Sequence, residues 1–214
     1  MGITERKERQ KAELRQRILD AALGILEREG FDALTMRKVA DAIEYSPAAI
    51  YLYFDSREQI AQALGRRAFQ QLLGHLQRAA GVADPAARLH ALAQEYARFA
   101  LENPAGYRLV FMESKSVTEA VFDPAAAGDG TDPGQVCFAL LLGAFAALDV
   151  APGEAERLTL LFWTALHGVV SLKITCSKFL TTPAEELVRA AVDQQLRSLD
   201  LAGPAARRNK AARR

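Results

Sequence analysis

The sequence is poor in the side chains that build disulfide frameworks and metal centres. It has two cysteines and three histidines among 214 residues. Cys137 and Cys176 lie far apart in apolar segments, which favours reduced core thiols over a disulfide and fits a cytosolic compartment. His75 and His90 have no neighbours that suggest a metal site. We therefore expect no metal and no cofactor.

Known catalytic motifs are also missing. There is no Gly-x-Ser-x-Gly, no glycine-rich phosphate-binding loop, no Cys-x-x-Cys and no His-Glu-x-x-His. Few nucleophile–base pairs can be formed from three histidines and two cysteines. We expect that the protein is not an enzyme. A helical hydrolase built on paired acidic residues stays open as an alternative, and turnover on a substrate panel would reveal it.

Long apolar runs are absent as well. No run of about 18 apolar residues occurs, so no membrane span and no membrane partner are expected. The first residues are charged and no apolar segment follows them, which argues against a signal peptide. With 50% hydrophobic and 25% charged residues, the composition is that of a globular protein with one or two domains.

Charge is distributed unevenly although the net charge is only +1. Residues 1–17 carry six basic and three acidic groups, and the last eight residues carry five basic groups and no acid. The remainder of the chain is therefore acidic. Two basic ends on an acidic body suit contact with a polyanion. The alternative is that both ends are solvated tails, and we expect residues 203–214 to be disordered.

Nearly every segment has helical periodicity, and strand-like alternation is missing. Apolar residues from Leu14 to Leu26 recur at spacings of three and four, and Gly30 follows in the preferred position for ending a helix. Further helices are predicted to begin at cap residues followed by proline, and residues 123–134 are predicted to be a long loop. We expect an all-α fold of nine or ten helices. The predicted helix starts are Thr35, Ser46-Pro47, Ser56, Asp84-Pro85, Asn103-Pro104, Asp132-Pro133, Pro152 and Thr182-Pro183.

Residues 35–54 have the spacing of a helix-turn-helix, in which the second helix can lie in the DNA major groove. This second helix has an unusual composition for an exposed element, because SPAAIYLYF contains two alanines, two tyrosines and no charge. Small alanines allow close approach to base edges, and tyrosine hydroxyls can reach phosphate oxygens. Ile50 and Phe54 are predicted to face inward. The alternative is a compact helical hairpin with a partly buried aromatic cluster.

The same region resembles the N-terminal domain of the TetR family of bacterial transcriptional repressors. The resemblance rests on Gly30-Phe31, Leu34-Thr35-x-Arg37-x-Val39-Ala40, Ser46-Pro47, Ile50-Tyr51-x-Tyr53-Phe54 and Ser56-Arg57-Glu58, in this order. It covers about sixty residues. One position departs from the pattern, since Glu44 stands where the family usually has glycine. If that residue needs a positive φ, the cost is on the order of 1 kcal/mol.

The resemblance implies a set of DNA contacts. Basic residues before the domain, among them Arg6, Lys7, Arg9 and Lys11, could enter a minor groove as a flexible arm, or could strengthen non-specific binding. Within the domain, the recognition helix and the residues flanking it would supply base and phosphate contacts. The DNA-binding residues implied are Thr35, Arg37, Ser46, Pro47, Ala48, Ala49, Tyr51, Tyr53 and Arg57.

The C-terminal part resembles one subgroup of the same family through Trp163-x-x-x-His167-Gly168 and the segment ENPAGYRLVF. The resemblance implies dimerisation and binding of a small effector. Helices at about 152–179 and 183–201 are the expected dimer elements. Aromatic and polar residues could line an effector cavity, although such residues are more often plain core. The candidates are Tyr96, Phe99, Tyr107, Phe111, Phe138, Phe145, Trp163 and His167.

The expected organisation is a helix-turn-helix DNA-binding domain at 1–75, a helical effector-binding and dimerisation domain at 76–202, and a basic tail at 203–214. We expect a cytoplasmic homodimeric regulator that a small apolar or amphipathic molecule releases from a palindromic double-stranded DNA operator. Half-site centres would lie about one helical turn, ~34–36 Å, apart. A non-specific architectural DNA binder and an activator remain alternatives.

Overall fold

The structure is a computed structural model that describes residues 2–122, 132–148, 150–151 and 153–211. Within these ranges it contains helices and no strand, which confirms the all-α prediction. A single 3₁₀ turn covers Phe31–Ala33, and a π-helical turn covers Leu109–Glu113. The α-helices are α1 (Ile3–Glu29), α2 (Met36–Ala42), α3 (Pro47–Tyr51), α4 (Arg57–Ala80), α5 (Pro85–Glu102), α6 (Pro104–Arg108), α7 (Lys115–Phe122), α8 (Pro133–Ala146), α9 (Glu154–Thr175) and α10 (Ala184–Ala211).

Side-chain caps start several of these helices as the sequence predicts. The Oγ atom of Ser56 accepts a hydrogen bond of 3.3 Å from the backbone N–H of Gln59 at the start of α4. At the start of α5, the carboxylate of Asp84 accepts one of 2.7 Å from Ala87. A side-chain acceptor satisfies one of the N–H groups that the first turn of a helix leaves without a partner. Local sequence therefore sets these boundaries.

Some predicted boundaries differ from the structure. The helix expected over residues 152–179 begins at Glu154, after Gly153 with φ of 80°, and ends at Thr175. Cys176 follows it and is exposed, so only Cys137 is the buried thiol that the sequence predicts. The last helix, expected to end near residue 201, continues to Ala211, in a segment rich in Ala, Arg and Lys, which are strong helix formers. Pro152 and most of the predicted loop 123–134 lie outside the described residues.

The chain divides into two compact units. The first comprises Met1–Gln70 and Asn103–Pro133. Its core is formed by apolar side chains of α1, α2, α3 and α4, and α6 packs against α1. Gly106 of α6 allows close approach to α4, because a Cβ atom there would lie 3.3 Å from that of Ala68. This close packing places residues 103–133 with the N-terminal helices, whereas the sequence analysis assigned them to the second domain.

The second unit comprises Gln71–Glu102 and Gly134–Arg214. Helices α5, α9 and α10 pack against one another in it. The buried face of α9 is formed by Leu158, Phe162, Leu166 and Val170 at spacings of four, as expected for a helix that lies against a core. These residues provide the hydrophobic centre of the unit together with buried side chains of α5 and α10.

Helix α9 is also long and apolar enough to cross a membrane, with a mean hydropathy of 1.4 over its most apolar window. The sequence contains no uninterrupted run of about 18 apolar residues, yet this helix, alone among those in the described ranges, has this property. The reason is that its charged residues stand near its ends, at Glu154, Glu156, Arg157 and Lys173. Length and composition alone do not separate a membrane span from a core or interface helix.

Candidate nucleic-acid interface

The helix-turn-helix is built by two short capped helices. The hydroxyl oxygen of Thr35 accepts a hydrogen bond of 3.2 Å from the N–H of Lys38, and this caps α2. The hydroxyl oxygen of Ser46 accepts one of 3.3 Å from the N–H of Ala49, and Pro47 occupies the first turn of α3. Pro at this position has its φ preset for the helix. The two helices thus begin where the sequence places them.

The turn between α2 and α3 is closed by a Schellman motif. The N–H of Tyr45 donates a hydrogen bond of 3.0 Å to the carbonyl of Ala40, and the N–H of Glu44 donates one of 3.3 Å to Asp41. The motif requires a left-handed residue after the helix, normally glycine. Glu44 fills this position with φ of 61°, and among the described residues no other non-glycine residue has a positive φ. The strain considered from the sequence is therefore present.

Helix α3 buries one side and exposes the other. Ile50 is fully buried and Phe54 is 3% exposed, which confirms that both face inward. Regular α-helix ends at Tyr51, earlier than predicted, although N–H groups of Tyr53 and Phe54 still bond to the carbonyl of Ile50. The outer side presents a continuous uncharged surface. This recognition surface consists of exposed Ser46, Pro47, Ala48, Tyr51 and Leu52 together with half-buried Ala49 and Tyr53.

Leu52 is absent from the predicted contact set, yet its side chain is 80% exposed. Tyr45, before α3, is also absent from that set and is 39% exposed. An exposed apolar side chain beside Tyr51 and Ala48 is available for contact with a thymine methyl group. The exposure of Leu52 could have been predicted from the sequence, because helical spacing places Leu52 on the face opposite Ile50. The recognition surface is therefore wider than the sequence-derived set.

Basic residues around this surface differ in their freedom. The side chain of Arg37 is 87% exposed. Its only ion pair among the described residues is with Asp41, where Nε of Arg37 lies 3.9 Å from a carboxylate oxygen. Such an exposed pair at the edge of contact distance contributes little, so Arg37 can reach a phosphate. Lys38, by contrast, donates a hydrogen bond of 2.6 Å to Glu29, and this bond lowers the pKa of the Glu29 carboxyl below its ordinary value. Lys38 is therefore held along α1.

Arg57 is fixed by three interactions rather than free in solvent. Its guanidinium lies 2.9 Å from Glu58, donates a weak hydrogen bond of 3.4 Å to the carbonyl of Leu34, and stacks 5.3 Å from the ring centroid of Phe31. The hydrogen bond from Arg57 lowers the pKa of the Glu58 carboxyl. A phosphate contact by Arg57, beside the start of α4, remains a prediction.

The predicted effector residues fall into both units. Tyr107 and Phe111 lie in the first unit with ring centroids 4.9 Å apart. In the second unit, the indole N–H of Trp163 donates a hydrogen bond of 3.2 Å to the hydroxyl of Tyr96. Burial lowers the pKa of His167 below its ordinary value. Phe99 and Phe145 are buried, and Phe138 is half-buried, in the same unit.

A groove of 560 Å³ lies elsewhere in the second unit, between α5 and α10. It contains none of the predicted effector residues. Its lining is charged, and two of its residues already pair, since Nε2 of His90 lies 3.1 Å from the carboxylate of Asp193. No group of three or more metal-binding side chains occurs in the described ranges. The residues lining the groove are His90, Ala91, Gln94, Arg98, Glu185, Arg189 and Asp193.

The fold and the exposed second helix define a helix-turn-helix DNA-binding protein. Residues 18–64 match the sequence profile of the bacterial regulatory proteins of the tetR family. Residues 89–195 match the tetracyclin repressor-like C-terminal domain. This chain belongs to the TetR family, and it is a sequence-specific DNA-binding transcriptional regulator. Individual proteins match larger parts of the chain.

Among curated proteins, the HTH-type transcriptional regulator Rv0681 of Mycobacterium tuberculosis is 27% identical over 162 residues, which is 75% of this chain and 70% of the relative. The HTH-type transcriptional repressor KstR of Mycolicibacterium smegmatis is 32% identical over 119 residues, 55% of each chain. Among solved structures, a protein from Rhodococcus sp. RHA1 superposes with a TM-score of 0.70 at 30% identity, covering 86% of this chain and 94% of that one. The similarity therefore includes both the DNA-binding and the C-terminal parts.

Proposed function

We propose that this regulator is a homodimeric repressor that leaves a palindromic operator when a small molecule binds its C-terminal part. The observation that carries the proposal is the uncharged exposed side of α3, held between two capped helices with Ile50 and Phe54 buried beneath it. Contacts with base edges determine which DNA sequence is bound, while phosphate contacts fix the position of the protein on the duplex. A rigid helix with small and aromatic side chains is suited to the first task.

The proposed division of labour follows from exposure and chemistry. Pro47, Ala48, Ala49 and Tyr51 would face base edges, where small side chains permit close approach. Phosphate contacts would come from groups at the edge of the surface. Each has either a hydroxyl or a guanidinium that can donate to a phosphate oxygen. These phosphate-binding residues would be Thr35, Arg37, Ser46, Tyr53 and Arg57.

Dimerisation is proposed through the exposed side of α9 together with α10. Leu160, Leu161 and Leu172 are 45–49% exposed, and the small residues Ala165 and Gly168 lie between them. Leu161, Ala165, Gly168 and Leu172 follow helical spacing, so they form one stripe. A partner helix could approach this stripe closely, and burial of three leucines would be worth several kcal/mol at ~25 cal/mol per Å². Such an interface would also explain why α9 is apolar on two sides, since one side meets the core and the other would meet the partner.

The effector is proposed to be apolar or amphipathic and to contact aromatic side chains of the C-terminal part. The hydrogen bond from Trp163 to Tyr96 shows that polar groups already orient part of this aromatic set. An effector must bind the form with low DNA affinity more tightly, and typical coupling free energies are ~1–3 kcal/mol. We propose no catalytic role, a cytoplasmic location, and the functional domains 1–75 and 76–202 followed by a basic tail at 203–214.

The experiment is selection of binding sequences from a random double-stranded DNA pool by the purified protein at near-physiological salt. The proposal expects an enriched palindrome with half-sites about one helical turn apart, bound ~10³-fold or more tightly than random DNA. Salt-sensitive binding to every sequence without enrichment would instead favour an architectural DNA-binding protein. A substrate panel incubated with the same preparation tests the absence of turnover.

A further inference from the structure

The N-terminal part of α1 extends as helix beyond the packed unit. Residues 4–13 are all exposed, Leu14 is half-buried, and Ile18 is the first fully buried residue of the helix. The segment nevertheless has helical structure from Ile3, and the carboxylate of Glu5 accepts a hydrogen bond of 2.9 Å from the N–H of Gly2. This first part of α1, residues 3–17, is called the helical arm below.

A helical arm differs in its possible partners from the flexible arm expected from the sequence. An α-helix with its side chains is about 10–12 Å across, whereas the minor groove of DNA is about 6 Å wide. The arm in this conformation therefore does not enter a minor groove. It can lie along the phosphate backbone, where basic side chains contact phosphates without reading bases.

The basic residues of the arm are concentrated on one side. Lys7, Lys11 and Arg15 follow one another at spacings of four and so form a stripe. Lys7 and Lys11 have no ion-pair partner among the described residues. Glu5 and Glu13 lie on the other side of the helix, and Glu8 flanks the stripe. At 1.5 Å per residue, the stripe is about 12 Å long.

The stripe begins at the recognition unit. The guanidinium carbon of Arg15 lies 4.8 Å from the ring centroid of Phe54, the buried residue that follows α3. Further along α1, the same face carries Ile18, Ala22 and Ile25, which are buried in the core. The buried face of α1 therefore continues outward as a row of cations. This continuity links the stripe to the recognition surface.

We propose that Lys7 and Lys11 bind phosphates of the DNA backbone next to the half-site read by α3, so that the helical arm extends the DNA contact beyond the helix-turn-helix. This inference rests on the proposed DNA-binding function. The contact strengthens binding through counterion release and does not choose the sequence. Arg15 anchors the base of the stripe on Phe54.

The test uses the full-length protein and the duplex obtained by random-pool selection, with affinity measured from 50 to 300 mM salt by fluorescence anisotropy. Lys7→Ala and Lys11→Ala are each expected to lower the slope of log affinity against log salt by about 1. The double variant should bind roughly tenfold more weakly at 0.1 M salt. The preference for the selected duplex over a scrambled duplex should stay at the wild-type ratio.

Arg9→Ala is the matched control. The DNA contact considered for Arg9 in a flexible arm is not expected in the helical arm, because Arg9 lies there on the side opposite the stripe and pairs with Glu13 at 3.5 Å. Alanine retains helix propensity at all three positions. The control should keep the wild-type slope. The proposal would be overturned if both lysine variants kept the wild-type slope, or if Arg9→Ala lowered the slope as much as they do. A lost preference for the selected duplex would also overturn it, because the arm would then read sequence.

Failure of the proposed function has a different signature. If wild-type protein selects no sequence from the pool, the DNA-recognition proposal fails, and the inference about the arm fails with it. If wild-type protein selects a palindrome but the lysine variants bind it as wild type does, only the arm inference fails. Circular dichroism of each variant checks that the helical content is the same.

Discussion

The guanidinium of Arg17 in α1 donates a hydrogen bond of 3.3 Å to the carbonyl oxygen of Ile43, the residue that ends α2. The same guanidinium lies 5.4 Å from the ring centroid of Tyr45, two residues further along the chain. Arg17 thus holds both sides of Glu44, which has positive φ. One side chain of the first helix therefore fixes the turn that sets α3 against α2.

Arg17→Ala should destabilise the protein by about 1–2 kcal/mol, since it removes a part-buried hydrogen bond and a cation–π contact. Arg17→Lys retains the charge but loses the forked donor geometry, so an intermediate loss is expected. Urea unfolding followed by circular dichroism measures both. Equal stability of Arg17→Ala and wild type would show that the turn does not depend on this contact.

Glu44→Gly should stabilise the protein by about 1 kcal/mol, because glycine adopts the left-handed region without a Cβ clash. Glu44→Ala is the matched control, since alanine removes the carboxylate but retains the Cβ atom. We expect little gain from alanine. Thermal unfolding of the two variants under one set of conditions separates the causes, and an equal gain in both would assign the effect to charge.

Tyr53→Phe should weaken DNA binding nearly equally for all sequences, since it removes a hydroxyl expected to bond a phosphate. The ring of Tyr53 is half-buried beside fully buried Ile50, so the fold should tolerate phenylalanine. Binding is compared on the selected duplex and on single-base variants of it. A changed order of preference among those duplexes would show that Tyr53 reads bases instead.

Leu161→Glu and Leu172→Glu should convert the dimer into monomers of 23.4 kDa, because each places a charge in the proposed interface. Leu101→Glu is the matched control, since Leu101 is 42% exposed and lies on α5, outside the proposed interface. Light scattering after size-exclusion chromatography gives the masses. Dimers of both α9 variants, or monomers of the control, would contradict an interface on this side of α9.

Glu95 joins α4 to α5 within the second unit and carries a pH dependence. Its carboxylate lies 2.8 Å from Arg78, 3.0 Å from His75 and 2.6 Å from Arg98, and it is 13% exposed. Burial acts to raise the pKa of this carboxyl, but the hydrogen bonds from Arg78 and His75 outweigh burial, so the pKa is lowered from its ordinary value of 4.5. A carboxyl whose pKa is lowered in the folded state stabilises the protein at pH values above its ordinary pKa. This stabilisation is lost as the pH falls from the ordinary pKa through the lowered one.

Glu95→Gln should therefore cost about 1–2 kcal/mol at pH 7, and the difference from wild type should shrink as the pH falls below 4.5. Glu102→Gln serves as control, because that carboxylate is 59% exposed and 3.9 Å from His75. Urea unfolding at pH 7 and at lower pH measures the difference. A penalty of the same size at every pH would exclude ionisation of Glu95 as its cause.

Helix starts, the buried side of each helix and the helix-turn-helix were predictable because they depend on local sequence. Thr35, Ser46 and Pro47 act within one helical turn, where cap geometry follows from residue type. The inward side of α3 followed from the four-residue spacing of Ile50 and Phe54. The identity of the fold was also visible, since these short-range signals occur in a characteristic order.

Other features could not be obtained in this way, because they depend on residues far apart in the chain. The sequence did not show that Arg57, an expected phosphate ligand, also contacts Phe31 and Leu34, more than twenty residues away. Cys176 looked like core from its apolar neighbours but lies exposed after α9. The grouping of residues 103–133 with the N-terminal helices depends on the close packing of Gly106 against Ala68, which lie 38 residues apart in the sequence.

The sequence by itself determined the all-α class, the capped helix-turn-helix and the uncharged composition of α3, since these follow from propensity, capping and periodicity. Only the tertiary structure decided which cations are held and which are available. Lys38 and Arg57 are paired, whereas Lys7, Lys11 and Arg37 remain accessible. The physical reason is that the freedom of a long charged side chain depends on partners brought close by packing, which no local pattern specifies.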